Sequence, residues 1–197
     1  MTRLFHIVLT TLLFIQPACS LSQEIKKSEA AEKLGVAIEY FTSGKYHEAL
    51  LIFNRLDKDF NLNPRFHAYM GVCLYYEWNY QDAAKLLSEA LPHLGGLAPH
   101  ELSLYYFYCA ESYFFQEKYA EAIPYYEQHL IVCYNREKGD ALYRIAFCYL
   151  FEEEKANALE YFTSALSYYE NFSDSMTARM AQIRNMINGL SAEINEE

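Results

Sequence analysis

The feature that most constrains the fold is a spacing that recurs four times along the 197 residues. Two sets of small residues carry it. The first set is Ala37, Gly71, Ala110 and Ala146, and the second is Ala49, Ala83, Ala122 and Ala158. Successive members of both sets lie 34, 39 and 36 residues apart, so the offset within each copy stays at 12. Insertions therefore fall between copies, as a module of two helices with variable linkers requires.

Aromatic residues keep the same register as the small ones. Three positions after the first small residue stand Tyr40, Leu74, Tyr113 and Tyr149, and three positions before the second stand Tyr46, Tyr80, Tyr119 and Lys155. Residues three apart share one face of a helix, and a small residue beside an aromatic lets a second helix approach closely. Neither helix of such a pair can bury its apolar stripe alone, so copies must stack.

This pattern resembles the tetratricopeptide repeat (TPR) family, with small–x–x–Tyr on a first helix and Tyr–x–x–Ala on a second. The stretches 46–49 and 119–123 are the most typical. The turn glycine of the family is kept only at Gly44 and becomes Trp78, Glu117 and Glu153 in later copies. The resemblance implies an all-α fold, a TPR-type α-solenoid of four helix–turn–helix repeats plus a C-terminal capping helix.

The domain organisation follows from the repeat boundaries. We expect a TPR domain over residues 23–190, with repeats at about 30–63, 64–98, 99–137 and 138–172, a capping helix over 174–190 and an acidic tail over 191–197. The predicted helices are 23–43, 46–59, 64–77, 80–92, 99–116, 119–133, 138–152, 155–170 and 174–190.

The N-terminus is typical of an export signal over residues 1–20. Arg3 precedes an apolar stretch from Leu4 to Ile15, which is too short to cross a bilayer core of about 30 Å. Cleavage is predicted after Ser20. A rival is lipid attachment at Cys19, because a cysteine just after an apolar run is similar to a bacterial lipoprotein signal. The predicted location is the periplasm, with secretion or a lipid anchor through Cys19 as alternatives, and no membrane span is predicted after processing.

Charge, cysteines and histidines argue against several classes of partner and activity. The formal net charge of −10 disfavours nucleic acid as a partner, because phosphate backbones repel an acidic chain. Four cysteines follow the signal, namely Cys73, Cys109, Cys133 and Cys148. They are predicted to be buried thiols, with one disulfide as the alternative. The histidines lack metal-ligand spacing such as HExxH, and no cofactor, metal site or enzymatic activity is predicted. His129 is expected to be a packed core residue.

In the TPR family the first helices line a concave groove that receives a partner segment. Carried over by register, the resemblance implies an aromatic groove at Phe41, Tyr75, Tyr76, Phe107, Phe114, Phe115, Tyr143, Phe147 and Phe151. Some family members bind C-terminal carboxylates through basic first-helix residues. Here only Arg65 and Arg144 lie near those positions. We therefore do not predict that this protein binds a C-terminal carboxylate.

The sequence therefore favours a non-enzymatic adaptor or scaffold of the cell envelope or secretory space, which binds a protein partner of unknown identity. Two alternatives stay open. One is a self-assembling structural protein whose aromatic face pairs with itself as a homo-oligomer. The other is a lipid-anchored protein that resembles the TPR components of outer-membrane complexes.

Overall fold

The computed structural model describes residue 24, residues 26–172 and residues 176–196. These residues divide into two units, one ending at Asn61 and one beginning at Leu62. The predicted export signal, with Cys19 and the cleavage point after Ser20, lies outside the described residues. Within the described ranges every regular element is a helix, which confirms the all-α prediction.

The first unit is one helical hairpin. Helix α1 covers residues 26–42, and α2 covers Tyr46–Phe60. The rings of Phe41 and Tyr46 meet edge to face across the turn, with centroids 5.8 Å apart. Helix α2 ends at Phe60, and the next residue, Asn61, adopts the left-handed conformation that closes many helices.

The second unit contains three more hairpins and a last helix. The first helices are α3 (Pro64–Tyr76), α5 (Pro99–Phe114) and α7 (Asn135–Phe151). The second helices are α4 (Tyr80–Ala90), α6 (Tyr119–Val132) and α8 (Lys155–Phe172), and α9 (Thr177–Glu196) ends the chain. A 3₁₀ turn, Leu91–His93, follows α4. Pro64 begins α3 as expected, and the Asn63 side chain caps that helix by accepting from the Arg65 N–H at 3.0 Å.

All four hairpins turn in the same way. The turn residues are Gly44, Trp78, Glu117 and Glu153, with φ angles of 74°, 61°, 60° and 61°. In the first turn the Gly44 N–H donates to the Phe41 carbonyl at 3.1 Å. The next N–H, of Lys45, reaches back five residues to Tyr40 at 2.8 Å. This is the Schellman pattern, which needs a left-handed residue and explains why the family uses glycine there. The later copies keep the geometry without the glycine.

The residues that define the repeat are the core of each hairpin. All eight small residues of the two sets are buried. A Cβ added at Gly71 would lie 2.6 Å from the Leu87 Cγ on α4, so this position requires glycine for a close approach of two helices. At Gly139 on α7 the approach is close but less extreme, since an added Cβ would lie 3.1 Å from the ring of Tyr169 on α8.

Three predicted helix boundaries were wrong by three residues or more. Helix α7 begins at Asn135 and not at 138, because the Glu137 carboxylate accepts from the Tyr134 N–H at 3.0 Å and fixes an earlier start. Helix α9 begins at Thr177 and not at 174, and it continues to Glu196, although residues 191–197 were predicted to be a tail. Glu193 pairs with Lys155 at 3.4 Å, and Ile194 extends the apolar stripe one turn beyond Leu190.

The described helices include none that combines the length and apolar character needed to cross a membrane.

Candidate functional site

The candidate site is the face formed by the first helices of the second unit together with α9. We call it the odd-helix face, since it consists of α3, α5, α7 and α9. Side-chain contacts join each of these helices to the next one in that order. Three sets of an arginine, a carboxylate and a tyrosine, hereafter triplets, make the joins.

Each triplet has the same chemistry. An arginine on one odd helix pairs with a carboxylate on the neighbouring odd helix, and a tyrosine hydroxyl donates to the same carboxylate. The triplets are Arg65–Glu101–Tyr105, Arg144–Glu111–Tyr126 and Arg179–Asp140–Tyr169. The N···O distances of the three ion pairs are 2.8, 2.7 and 3.2 Å. The triplets therefore help to fix the relative positions of the four odd helices.

Every triplet arginine also lies over an aromatic ring of its face. Arg65 is 5.9 Å from the Tyr69 ring centroid, Arg144 is 4.6 Å from that of Phe114, and Arg179 is 4.7 Å from that of Tyr143. Cation–π contacts of this kind hold the guanidinium flat and contribute about 0.5–2 kcal/mol, depending on how far water is excluded. The odd-helix face is thus aromatic, and its three triplet arginines are already paired.

The middle triplet is the buried one. The Glu111 side chain is only 3% exposed, and Arg144 is 30% exposed. The carboxylate accepts two bonds from Arg144, at 2.7 and 3.0 Å, one from Tyr126 and a longer one from Tyr75 at 3.4 Å. Burial, together with the Glu111 charge, raises the pKa of Tyr126 well above its usual value, so the phenol stays protonated and donates.

Aromatic side chains surround this triplet on both sides. On the α3 side, Tyr75 packs on Tyr108 and Phe115 with centroid distances of 4.8 and 6.1 Å. The hydroxyls of Tyr76 and Tyr108 also bond to each other. On the α7 side, the Phe151 ring stacks on Tyr119 at 4.7 Å and contacts Phe114 at 6.3 Å. The rings therefore support one another in fixed positions.

The nine groove residues predicted from sequence do not share one environment. The exposed ones are Tyr76, Phe115 and Phe151, at 40%, 43% and 51%. The half-buried ones are Tyr75, Phe107, Phe114 and Phe147 on the odd-helix face and Phe41 in the first unit. Tyr143 is buried at 8% under Arg179 and packs on Phe147 and Phe162, so it is a core residue and offers no contact surface.

A separate cavity of about 210 Å³ opens on the odd-helix face between α5 and α7. Its lining is mixed. Phe107 and Tyr108 supply rings, Glu137 and Asp140 supply carboxylates, and His129 of α6 contributes a histidine that is 5% exposed. As predicted, His129 is a buried residue, and burial lowers its pKa below the usual value.

The cysteines are all free thiols within the described residues. Cys73, Cys109 and Cys148 are buried, and Cys133 is half-buried. Burial raises the pKa of Cys73 and Cys148 to about 12 and that of Cys133 to about 11, which leaves little thiolate at neutral pH. Among the described residues, no group of three or more His, Cys, Asp or Glu side chains is placed to hold a metal ion.

The triplets were not predicted from sequence. Each arginine lies 33 to 39 residues from its carboxylate, on a different helix, and no local pattern connects the two. The one available signal is Glu111 itself, a lone carboxylate within the otherwise uncharged stretch 102–116 of α5 and its end. Arg65 and Arg144, the two residues closest to a carboxylate clamp, are both occupied by the protein's own carboxylates.

No family model matches the chain, and no curated protein matches its sequence. Solved structures do match. MamA of strain AMB-1 superposes with a TM-score of 0.58 at 20% identity, over 71% of this chain and 78% of MamA. YrrB, described as a TPR protein with an unusual peptide-binding site, gives 0.63 at 20% identity, over 78% and 74%. The apo form of RapI gives 0.66 at 13% identity, over 85% and 65%.

These similarities, together with the four equal turns and the buried repeat positions, define the class of fold. The chain has the TPR fold, an all-α solenoid type, as the sequence predicted. At this level of identity the similarity concerns the fold, and the function must be argued from the site.

Proposed function

We propose that the protein is a non-enzymatic adaptor that binds a segment of a partner protein on the odd-helix face. The observation that carries the proposal is the exposure of Tyr76, Phe115 and Phe151 at the ends of three successive first helices. Aromatic rings in water favour association, and they are enriched at the centres of protein interfaces. The unusual peptide-binding site of YrrB, a protein with a similar fold, also supports this proposal.

The rigidity of the face supports binding as well. Phe115 stacks on Tyr80 at 4.9 Å, and Phe151 stacks on Tyr119 at 4.7 Å, so the exposed rings are held by rings of the second helices. A partner that docks on fixed side chains loses less conformational entropy than one that must order them. An amphipathic helix or an extended apolar segment suits a surface of this kind.

The test is affinity capture from an extract of the native host with three forms of the protein. These are the wild type, a variant with Tyr76→Ser and Phe115→Ser, and a control with Ile131→Ser. Ile131 on α6 is 72% exposed but lies on a second helix. We expect partners that wild type and control capture and that the double variant loses, while its circular dichroism shows that it is still folded and helical at the temperature of the experiment. Retention of every partner by the folded double variant would place the interaction elsewhere.

We also propose that the adaptor works in the cell envelope, after export directed by residues 1–20. The support is the short apolar stretch after Arg3 and the small residues near Ser20. Mass spectrometry of the mature protein is expected to find an unmodified start at Leu21. A lipid-modified Cys19 at the N-terminus would favour the anchored alternative, and an intact Met1 in the host would contradict export.

A further inference from the structure

We propose that the cavity between α5 and α7 is a subsite for a primary ammonium group on an aliphatic stem, which is the chemistry of a lysine side chain. The inference deepens the proposed function, because it names the chemistry of one side chain in the partner segment. It rests on the acceptors of the cavity, on its walls and on its charge.

The first acceptor is His129. Its Nδ1 lies 2.9 Å from the Ser103 carbonyl oxygen, which can only accept, so Nδ1 carries the proton. The Nε2 of the neutral ring is therefore a lone-pair acceptor. This atom is buried, and no hydrogen-bond partner for it exists among the described residues. A buried polar atom without a partner is rare enough to require an explanation, and a missing ligand is one.

The other two acceptors are carboxylate oxygens of α7. Asp140 uses Oδ1 for both Tyr169, at 2.5 Å, and Arg179, at 3.2 Å. Glu137 Oε2 accepts from the Tyr134 N–H at 3.0 Å and lies 3.8 Å from His100 Nδ1. The side chains of Asp140 and Glu137 are 45% and 29% exposed, so both carboxylates keep oxygens that a cationic ligand can reach.

One buried acceptor without a donor and two partly exposed carboxylates indicate the chemistry of the ligand. An ammonium group brings three N–H donors and a positive charge, whereas a hydroxyl brings one donor and a carboxylate brings none. Two carboxylates in one small cavity of an acidic protein further favour a cation. The rings of Phe107 and Tyr108 form walls that suit the methylene stem of such a group. The volume of about 210 Å³ suits one long side chain and is too small for a helix.

The probe for the test is Nα-acetyl-lysine N-methylamide, which carries the ammonium and stem without any partner protein. Nα-acetyl-norleucine N-methylamide, with the same stem and no ammonium, is its matched control. In a titration of isotope-labelled protein followed by NMR, we expect saturable shifts at the His129 imidazole and at the amides of residues 137–140 with the lysine probe. The norleucine probe is expected to bind at least about tenfold more weakly, because it offers no charged donor.

Two variants assign the effect to the cavity. Glu137→Gln removes one charge but keeps an oxygen for the Tyr134 N–H, and we expect affinity for the lysine probe to fall about tenfold. Glu121→Gln removes the same charge from the same third position of α6, and affinity should stay unchanged. Equal binding of the two probes, equal effects of the two variants, or no saturable shift at any soluble concentration would overturn the proposal.

The outcome is separable from that of the proposed function. If affinity capture depends on Tyr76 and Phe115 but the lysine probe does not bind, the adaptor proposal stands and the subsite is wrong. If the probe binds while capture is indifferent to those two side chains, the cavity is a ligand site and the adaptor proposal is wrong.

Discussion

Gly71→Leu is expected to destabilise the protein by about 3 kcal/mol, because even a Cβ at this position would lie 2.6 Å from the Leu87 Cγ. Leu87 is fully buried on α4, so the clash falls in the packed interior of the hairpin. Helices α3 and α4 would have to separate, and the hairpin that carries Tyr75 and Tyr76 would change shape. The free energy of unfolding from urea titration measures the loss.

Two further variants show whether close approach is the cause. Gly71→Ala should be destabilising by a smaller amount, and adding Leu87→Ala should recover part of that loss by making room for the new methyl group. Gly35→Ala on α1 is the matched control, since nothing lies within 4 Å of that position. There we expect a gain of about 0.5–1 kcal/mol from helix propensity. A Gly71→Leu variant as stable as wild type would contradict the packing of α3 on α4.

Arg144→Met is expected to destabilise the protein by about 3 kcal/mol, since it leaves the Glu111 carboxylate buried without its cation. The aliphatic stem of methionine keeps most of the packing on Phe114, so the loss reports chiefly on the charge. Adding Glu111→Gln should recover part of the stability, because a neutral amide can still accept from Tyr126. The measurement is a double-mutant cycle by denaturant unfolding.

The control for this cycle is an exposed pair of the same chemistry. Arg184 and Glu170 are joined at 2.7 Å, with side chains 52% and 47% exposed. We expect Arg184→Met to cost less than about 1 kcal/mol, because water already solvates both partners. Equal costs at Arg144 and Arg184 would mean that burial of the middle triplet adds nothing. Additive effects of Arg144→Met and Glu111→Gln would mean that the two side chains are not coupled.

The repeat could be predicted from sequence because its determinants are local. A small residue and an aromatic three positions later are close in sequence and in space, so Ala110 with Tyr113 can be recognised by eye. The turns are a harder case, since Trp78 keeps the left-handed geometry of Gly44 without its residue type. Each turn could be placed only from the small residue of the helix before it and the small residue of the helix after it.

The arrangement of the odd-helix face was harder to predict from the sequence. Register places Tyr143 beside Phe147 on a first helix, but the arginine that covers Tyr143 comes from α9, 36 residues away. The triplets and the cavity at His129 likewise join residues from helices that only the fold brings together. The end of α9 was placed too early for a related reason, because the pairing of Glu193 with Lys155 is a tertiary contact.

The most direct test of the central claim is site-specific photo-cross-linking in the native host. Phe115 on the odd-helix face and Ile131 on α6 would each be replaced by p-benzoylphenylalanine in separate strains. We predict a cross-linked partner protein from position 115 and none from position 131, although Ile131 is the more exposed of the two at 72% against 43%. Cross-links from position 131 alone, or from position 115 only to a second copy of the same chain, would contradict the adaptor proposal.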